Sequence, residues 1–194
     1  GGVFEPGYRQ SHRSGRYRYP LYRRPADLLD VRLETLFPDL KNRRVQGRLE
    51  GSRVVPYYSR SQINAGAIEE KPLCYLESDI DRFFLQVQGS GRVLLENNAT
   101  LYVGYGGTNG HPYRSIGKAL VAHGEIAQEE ISLQSIRRWL EAHPQEARET
   151  LESDPSFVFF AQRTQGATGS LGIELTPMRS VAVDRSKIPL GFPL

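Results

Sequence analysis

Glycine and proline recur along the whole chain and force the backbone to turn often. There are 19 Gly and 12 Pro among 194 residues, a frequency that favours short elements joined by turns and a strong β component. Hydrophobic residues make up 39% of the chain and charged residues 24%, which is typical of a globular protein. A chain of this length buries roughly 70% of the surface of its unfolded form, so one large or two small domains can fold without disulfides or metals.

Charge and cysteine content set only loose limits on function. The 25 Lys+Arg against 22 Asp+Glu leave a net charge of +3, which permits an anionic polymer as partner without requiring one. Cys74 is the single cysteine, so no internal disulfide can form, and its apolar neighbours predict a buried thiol. No apolar run reaches the roughly 20 residues of a membrane span, and the first residues contain neither a signal peptide nor a lipid-attachment cysteine. Because the chain opens at Gly1 without a methionine, we expect a trimmed chain or a fragment.

Local patterns predict an alternation of short strands and helices. The predicted strands or extended segments are residues 8–22, 83–88, a hairpin of 92–95 with 100–105, 157–160 and 180–184. The predicted helices are residues 27–36 with Asp27 as cap, one turn over 59–66, 113–123, a helix capped by Ser132, and a helix from Pro144 to about Leu151.

Two glycine-rich clusters are the strongest candidates for a binding site. Residues 104–115 place four glycines in a loop that leads into a helix, which suits close approach of a ligand to the backbone. A tight connection without a ligand remains the alternative, and a phosphate loop is excluded because the Gly-Lys-Ser/Thr ending is absent. In residues 84–91, Gln86 and Gln88 would share one strand face, where amides suit sugar hydroxyls. A solvent-facing strand side is the alternative.

Other side chains offer little for catalysis by themselves. The four histidines are scattered without a ligand spacing, so we predict no metal and no cofactor. No Gly-x-Ser-x-Gly elbow is present, which excludes the usual serine hydrolase motif. Among the acidic residues, Glu5 beside a Pro-Gly turn and Asp184 at a strand end are the two candidates, although either could be a turn or cap residue. Arginines and tyrosines interleave over residues 8–24, a pattern that fits single-stranded nucleic acid or a solvated edge strand.

Several strings, taken together and in order, resemble one family of enzymes. They are FEP (4–6), RYPLYR (18–23), FFLQVQGSG (83–91), NGHPYRSIG (109–117), PSFVFF (155–160), VDR (183–185) and IPLG (188–191). They resemble the membrane-bound lytic murein transglycosylase A family over nearly the whole chain. The resemblance implies a mainly β fold with some α, in which a double-psi β-barrel domain, incomplete here, carries an inserted second domain that is mainly β with a few helices. Residues 1–25 and 167–194 would belong to the barrel and residues 26–166 to the insert.

The resemblance also implies a reaction and a set of site residues. The family breaks the β-1,4 bond between N-acetylmuramic acid and N-acetylglucosamine without water, because the muramoyl 6-hydroxyl attacks its own anomeric carbon. Asp184 matches the first of three family aspartates, a supporting one, and the catalytic acid would lie beyond Leu194. We therefore expect the 194-residue chain alone to be inactive. Residue type and placement suggest as glycan contacts Glu5, Gln86, Gln88, Gly89, Ser90, Tyr105, Asn109, Tyr113, Arg114 and Ser115.

The same resemblance sets expectations for partners and location. Peptidoglycan glycan strands are the expected partner, with other cell-wall enzymes as further candidates and no nucleic acid. The expected location is the periplasm of a Gram-negative cell envelope, at the outer membrane through an N-terminal lipid anchor absent from this chain. Val3 departs from the family by replacing an aromatic residue. A truncated, non-catalytic peptidoglycan-binding module is the alternative function.

Overall fold

The computed structural model of the protein describes residues 15–164. Glu5, Asp184 and the proposed barrel segment 167–194 lie outside the described residues, as does the predicted strand 180–184. The strands are β1 Tyr19–Leu21, β2 Leu29–Val31, β3 Val45–Glu50, β4 Arg53–Pro56, β5 Cys74–Leu76, β6 Gly91–Leu94, β7 Thr100–Thr108 and β8 Val158–Arg163. The helices are α1 Arg60–Asn64, α2 Asp79–Gln88, α3 Ile116–Ala122, α4 Leu133–Ala142 and α5 Pro144–Glu152, with short 3-10 turns at Pro38–Leu40 and Gln128–Glu130.

The described strands form three small antiparallel sheets. β1 pairs with β5, β2–β3–β4 form a meander, and β7 lies between β6 and β8. The pairing of β7 with β8 shifts register between Tyr105 and Gly107. Such a bulge bends the strand and redirects its side chains, and here it lies within the glycine-rich stretch that the sequence singled out.

Serine side chains begin four of the helices. Ser59, Ser78, Ser115 and Ser132 each accept a hydrogen bond from the backbone N–H three residues later. Such caps satisfy donors that the first helical turn leaves unpaired. The predicted caps at Ser59 and Ser132 are therefore confirmed, as are the hairpin and the helix beginning at Pro144.

The core is divided into three hydrophobic clusters, and α2 joins two of them. Phe83 and Phe84 pack with α3, α4 and α5, whereas Leu85 packs with β5, β7 and β8. The third cluster contains Tyr57, Ile63 and Phe157, the residue before β8. Since three consecutive residues of α2 enter two clusters, this helix is the central element of the described fold.

The predicted strand over residues 83–88 is wrong, because these residues belong to helix α2. Ser78 caps the helix, Asp79 and Asp81 lie in its first turn, and Gly89 ends it at φ 77°. Acidic residues near the N-terminus and a left-handed glycine at the C-terminus stabilise a helix. A short apolar run that is buried on several sides does not show its period, so the apparent alternation was misleading.

The predicted helix over residues 27–36 is also wrong. Leu29–Val31 pairs with β3 instead. Asp27 does not cap a helix, because its carboxylate accepts a hydrogen bond from the Tyr57 hydroxyl at 2.7 Å. Leu33 and Leu36 remain exposed. Pairing with a strand distant in sequence therefore outweighed the local helical pattern.

The described part of the chain is mixed α/β, so the expectation of a mainly β insert holds only in part. Five α-helices accompany eight strands over residues 15–164. Within that range no helix has the length and apolar character needed to cross a bilayer. Cys74 is buried as predicted, and burial raises the pKa of its thiol to about 12.

Candidate glycan-binding site

The glycine-rich end of β7 lies against β8 at unusually short range. A Cβ added at Gly106 would come 2.8 Å from the carbonyl carbon of Phe160 and 3.0 Å from the backbone nitrogen of Ala161. Real Cβ atoms do not tolerate such contacts with backbone, which cannot move without breaking the sheet. Gly106 is therefore required by close approach of the strands, whatever ligand binds nearby.

A pair of substitutions tests this requirement. We expect Gly106→Ala to lower the free energy of unfolding by about 1–3 kcal/mol, because it overpacks the strand pair. At Gly104 the added Cβ would meet only the exposed side chain of Arg163, at 2.5 Å from Nε, and that side chain can swing away. Urea denaturation of Gly106→Ala and Gly104→Ala measures the difference. Equal losses would show that strand proximity does not select glycine at position 106.

The turn after α2 contacts the glycine-rich strand β7. Several residues that were predicted to contact glycan therefore lie close together. Gly89 faces Tyr105, since a Cβ built on Gly89 would lie 3.9 Å from the Tyr105 Cβ. Gln88 and Ser90 flank Gly89 and are half-buried. The structure therefore places Gln88, Gly89, Ser90 and Tyr105 in one region.

Four polar residues of this region were not named as glycan contacts by the sequence analysis. Arg44 donates from Nη1 to the Tyr105 hydroxyl at 2.8 Å. Gln46 accepts from the Thr108 hydroxyl at 3.3 Å and donates to Asp30 at 2.9 Å, and Arg24 pairs with Asp30 at 3.2 Å. Arg44 and Gln46 bond β7 directly, and Asp30 of β2 holds Gln46 and Arg24. No local signal marks them, because Arg44 and Tyr105 are 61 residues apart.

Gln86 and Gln88 do not share a face as the strand interpretation required. Two residues apart on a helix, their side chains point in different directions. Gln86 is 4% exposed and donates from Nε2 to the Val158 carbonyl oxygen at 3.4 Å. Its Oε1 and the Oε1 of Gln88 are buried without a hydrogen-bond partner among the described residues. Both oxygens could accept from a hydroxyl.

Asn109 lies inside the protein, and its amide is fully used by the backbone. It is 1% exposed. Its Nδ2 donates to the carbonyl oxygens of Tyr58 and Pro155, both at 2.9 Å. Its Oδ1 accepts from the backbone N–H of Phe157 at 2.9 Å and of His111 at 3.3 Å. With two donors and two acceptors occupied, no polar atom of Asn109 is left for a sugar, and the prediction that it contacts glycan does not fit this geometry.

Tyr113, Arg114 and Ser115 form a second group, next to the start of α3. Ser115 caps that helix, and Arg114 and Tyr113 are exposed. Although Tyr113 is 41% exposed, partial desolvation raises its pKa to about 12, and the nearby Asp154 carboxylate acts in the same direction. The tyrosine therefore stays protonated at neutral pH and can donate or accept a hydrogen bond.

A buried ion pair lies beneath this second group. Arg60 is 2% exposed and Asp154 is 1% exposed, with 3.8 Å between the Arg60 Nη2 and the Asp154 Oδ2. Burial lowers the pKa of Arg60 to about 10. Burial also raises the pKa of Asp154 above its ordinary value, although hydrogen bonds from the backbone N–H groups of Arg114 and Ser156 lower it in part. Over residues 15–164 no three His, Cys, Asp or Glu side chains are grouped so as to hold a metal.

Comparison with known proteins places this arrangement in a family. The family described as "MltA specific insert domain" matches residues 1–161. The membrane-bound lytic murein transglycosylase A of Escherichia coli K12 is 39% identical over 198 residues, covering 100% of this chain and 47% of that protein. That of Vibrio cholerae is 43% identical over 141 residues, covering 70% and 38%.

Solved structures agree with the sequence relatives. A membrane-bound lytic murein transglycosylase from Agrobacterium tumefaciens superimposes with TM-score 0.73 at 27% identity, covering 86% of this chain and 47% of that one. Escherichia coli MltA with bound chitohexaose superimposes with TM-score 0.63 at 34% identity, covering 86% and 43%.

The chain spans about half the length of the curated relatives that match over its whole length. The family match extends over most of its residues and includes the whole candidate site. The chain belongs to the family of membrane-bound lytic murein transglycosylase A.

Proposed function

We propose that the protein to which this chain belongs is a lytic murein transglycosylase that cleaves the β-1,4 bond between N-acetylmuramic acid and N-acetylglucosamine. The observation that carries the proposal is family membership over residues 1–161. Further support comes from a related structure, at 34% identity, that holds the sugar oligomer chitohexaose. The polar region around Tyr105 suits such a ligand, because sugars offer hydroxyls that donate and accept hydrogen bonds.

The proposed reaction needs only one catalytic carboxyl group. An aspartic acid protonates the oxygen that leaves the muramoyl anomeric carbon, and its carboxylate then takes the proton of the 6-hydroxyl as that oxygen bonds to the same carbon. The nucleophile belongs to the substrate, so the entropy cost of bringing it to the carbon is largely removed. Ordinary glycosidases need a second carboxyl group. The product is a 1,6-anhydro-N-acetylmuramic acid end.

The described residues would bind the glycan and leave its chemistry to the barrel domain. In this proposal Tyr105 and Arg44 contact the sugar directly, Gln88 and Ser90 line the adjoining turn, and Tyr113 lies in a second subsite with Arg114 and Ser115. Gln86 would offer its buried Oε1, which has no partner among the described residues, as a further hydrogen-bond acceptor. Glu5 as a glycan contact and Asp184 as a supporting aspartate remain predictions.

The division into domains is part of the proposal. Residues 1–25 and 167–194 would contribute to a double-psi β-barrel, and residues 26–166 would form the insert. β1 lies in the first barrel segment and pairs with β5 of the insert, so in this scheme it would connect the two. The proposed location is the periplasm at the outer membrane, with a lipid anchor outside this chain and peptidoglycan as partner.

Binding of chitohexaose tests the site. We expect Arg44→Ala to weaken binding about tenfold, because it removes the guanidinium that holds the Tyr105 hydroxyl. Arg53→Ala is the matched control, since Arg53 is also an exposed arginine and lies in the β3–β4 hairpin. This variant should bind chitohexaose with the affinity of the wild-type protein. Isothermal titration calorimetry measures both. Equal affinities for the two variants would remove Arg44 and Tyr105 from the site.

Digestion of murein by the full-length protein tests the reaction. Mass spectrometry should detect 1,6-anhydro ends and no reducing ends. Reducing-end products would contradict the transglycosylase proposal, because they require water as nucleophile. Binding of glycan without any cleavage would instead favour a non-catalytic peptidoglycan-binding module.

A further inference from the structure

The loop that follows β7 is fastened at its far end to the connector between α5 and β8. The Asp154 Oδ1 accepts hydrogen bonds from the backbone N–H groups of Arg114 and Ser156, both at 3.1 Å. Arg114 lies in the loop 109–115, and Ser156 lies in the connector. One buried carboxylate oxygen therefore joins two segments that are 40 residues apart.

Arg60 holds the connector in its turn. Its Nε donates to the Asp154 carbonyl oxygen at 3.1 Å, and its Nη2 donates to the Ser156 carbonyl oxygen at 2.6 Å. The guanidinium also lies 5.3 Å from the ring centroid of Phe157. A charged donor that is almost completely buried, and that binds two carbonyl oxygens of one short segment, leaves that segment little freedom.

A second buried arginine offers a natural comparison. Arg82 is 1% exposed and lies 5.4 Å from the ring centroid of Phe157. It pairs with Asp79 at 2.7 Å and donates to the Asn64 side-chain oxygen at 2.6 Å. Its Nη1 donates to the Pro20 carbonyl oxygen at 3.5 Å, so these bonds link α2 to α1 and β1. Both pairs join a buried arginine to an aspartate, but the Asp79 side chain is 15% exposed against 2% for Asp154, and it is Asp154 that bonds the Arg114 N–H of the loop.

We propose that Asp154, held by Arg60, is a positioning residue that keeps the loop carrying Tyr113 and Arg114 in its glycan-binding geometry. The inference rests on the proposed function, because it assumes that this loop contacts the sugar. Asp154 itself is 1% exposed and does not reach the ligand. It acts through the Arg114 N–H, whose position determines where the exposed side chains of Tyr113 and Arg114 lie.

Hydrogen exchange tests the positioning role without any ligand. In Asp154→Ala the amide of Arg114 should exchange at least tenfold faster, because its acceptor is gone. In Asp79→Ala, the matched control, this amide should exchange within about twofold of the wild-type rate. Asp154→Asn keeps a side-chain oxygen as acceptor and should retain most of the protection. If Asp154→Ala does not fold, Asp154→Ser takes its place, because it also lacks the Oδ1 acceptor. An Arg114 amide that exchanges at the wild-type rate in the alanine or serine variant would overturn the inference.

Titration with chitohexaose then tests the consequence for binding. We expect about tenfold weaker affinity in Asp154→Ala, near wild-type affinity in Asp154→Asn, and wild-type affinity in Asp79→Ala. If the amide is released but affinity does not change, while Arg44→Ala still weakens binding, the inference fails and the proposed function stands. If the wild-type protein does not bind the oligomer at all, the proposed site fails, and the functional part of the inference fails with it.

Discussion

Replacing Asn109 by alanine should lower the free energy of unfolding by about 3–5 kcal/mol, since it removes four hydrogen bonds to backbone groups, of which the Pro155 carbonyl oxygen keeps a second partner in the Arg60 N–H. The side chain joins the Tyr58 and Pro155 carbonyl oxygens to the Phe157 and His111 N–H groups. Each unsatisfied group costs about 1–3 kcal/mol, and partial entry of water reduces the sum. Chemical denaturation monitored by circular dichroism measures the loss.

Asn97→Ala is the matched control for Asn109. Asn97 lies in the exposed β6–β7 turn, where its side-chain oxygen accepts one hydrogen bond from the Ala99 N–H at 3.0 Å. Water can replace that bond, so we expect a loss below about 1 kcal/mol. A loss at Asn109 no greater than that at Asn97 would show that the backbone network around Asn109 does not contribute to stability.

Replacing Phe157 by alanine should lower the free energy of unfolding by a similar amount, about 3–5 kcal/mol. Its ring is 0% exposed, lies between the guanidinium groups of Arg60 and Arg82, and packs against Phe159 at 5.6 Å between centroids. The substitution leaves a cavity and removes the aromatic face from two buried cations. Thermal and chemical denaturation both measure the loss.

Two further variants separate the causes at Phe157. Phe157→Leu keeps much of the side-chain volume but removes the aromatic ring. Its loss in free energy of unfolding, compared with the loss in Phe157→Ala, therefore reports how much the cation–π contacts contribute. Phe37→Ala removes a phenylalanine that is 54% exposed and should cost less than about 1 kcal/mol. If Phe157→Ala were no more harmful than Phe37→Ala, the ring between the two arginines would not be a structural centre.

The sequence predicted those parts of the fold whose signals are local. Serine followed by an apolar helical pattern marked the helices at Ser59 and Ser132, and Pro144 marked the start of another. Turn residues over 96–98 indicated the hairpin of β6 and β7. In each case the residues that form the feature lie within a few positions of one another, so their chemistry can be judged without the rest of the chain.

The candidate site was predictable only in part, because its residues come from separate segments. Tyr105 and Gly89 were predicted as glycan contacts from their glycine-rich surroundings, whereas Arg44, which bonds the Tyr105 hydroxyl, was not. Asn109 was predicted as a glycan contact, but the sequence could not show that its amide faces inward and bonds the backbone. Whether a polar residue in a glycine-rich string binds a ligand or supports the loop from within depends on the direction of its side chain.

By itself the sequence determined the family, the helix caps at Ser59 and Ser132, the turn between β6 and β7, and the glycine-rich region where the backbone of β7 comes close to its neighbours. Only the tertiary structure decided that residues 83–88 form a helix and that residues 29–31 form a strand. It alone also paired Arg60 with Asp154, 94 residues away. The physical reason is that these outcomes depend on burial and on partners distant in the chain, and neither is encoded in the local pattern of residues.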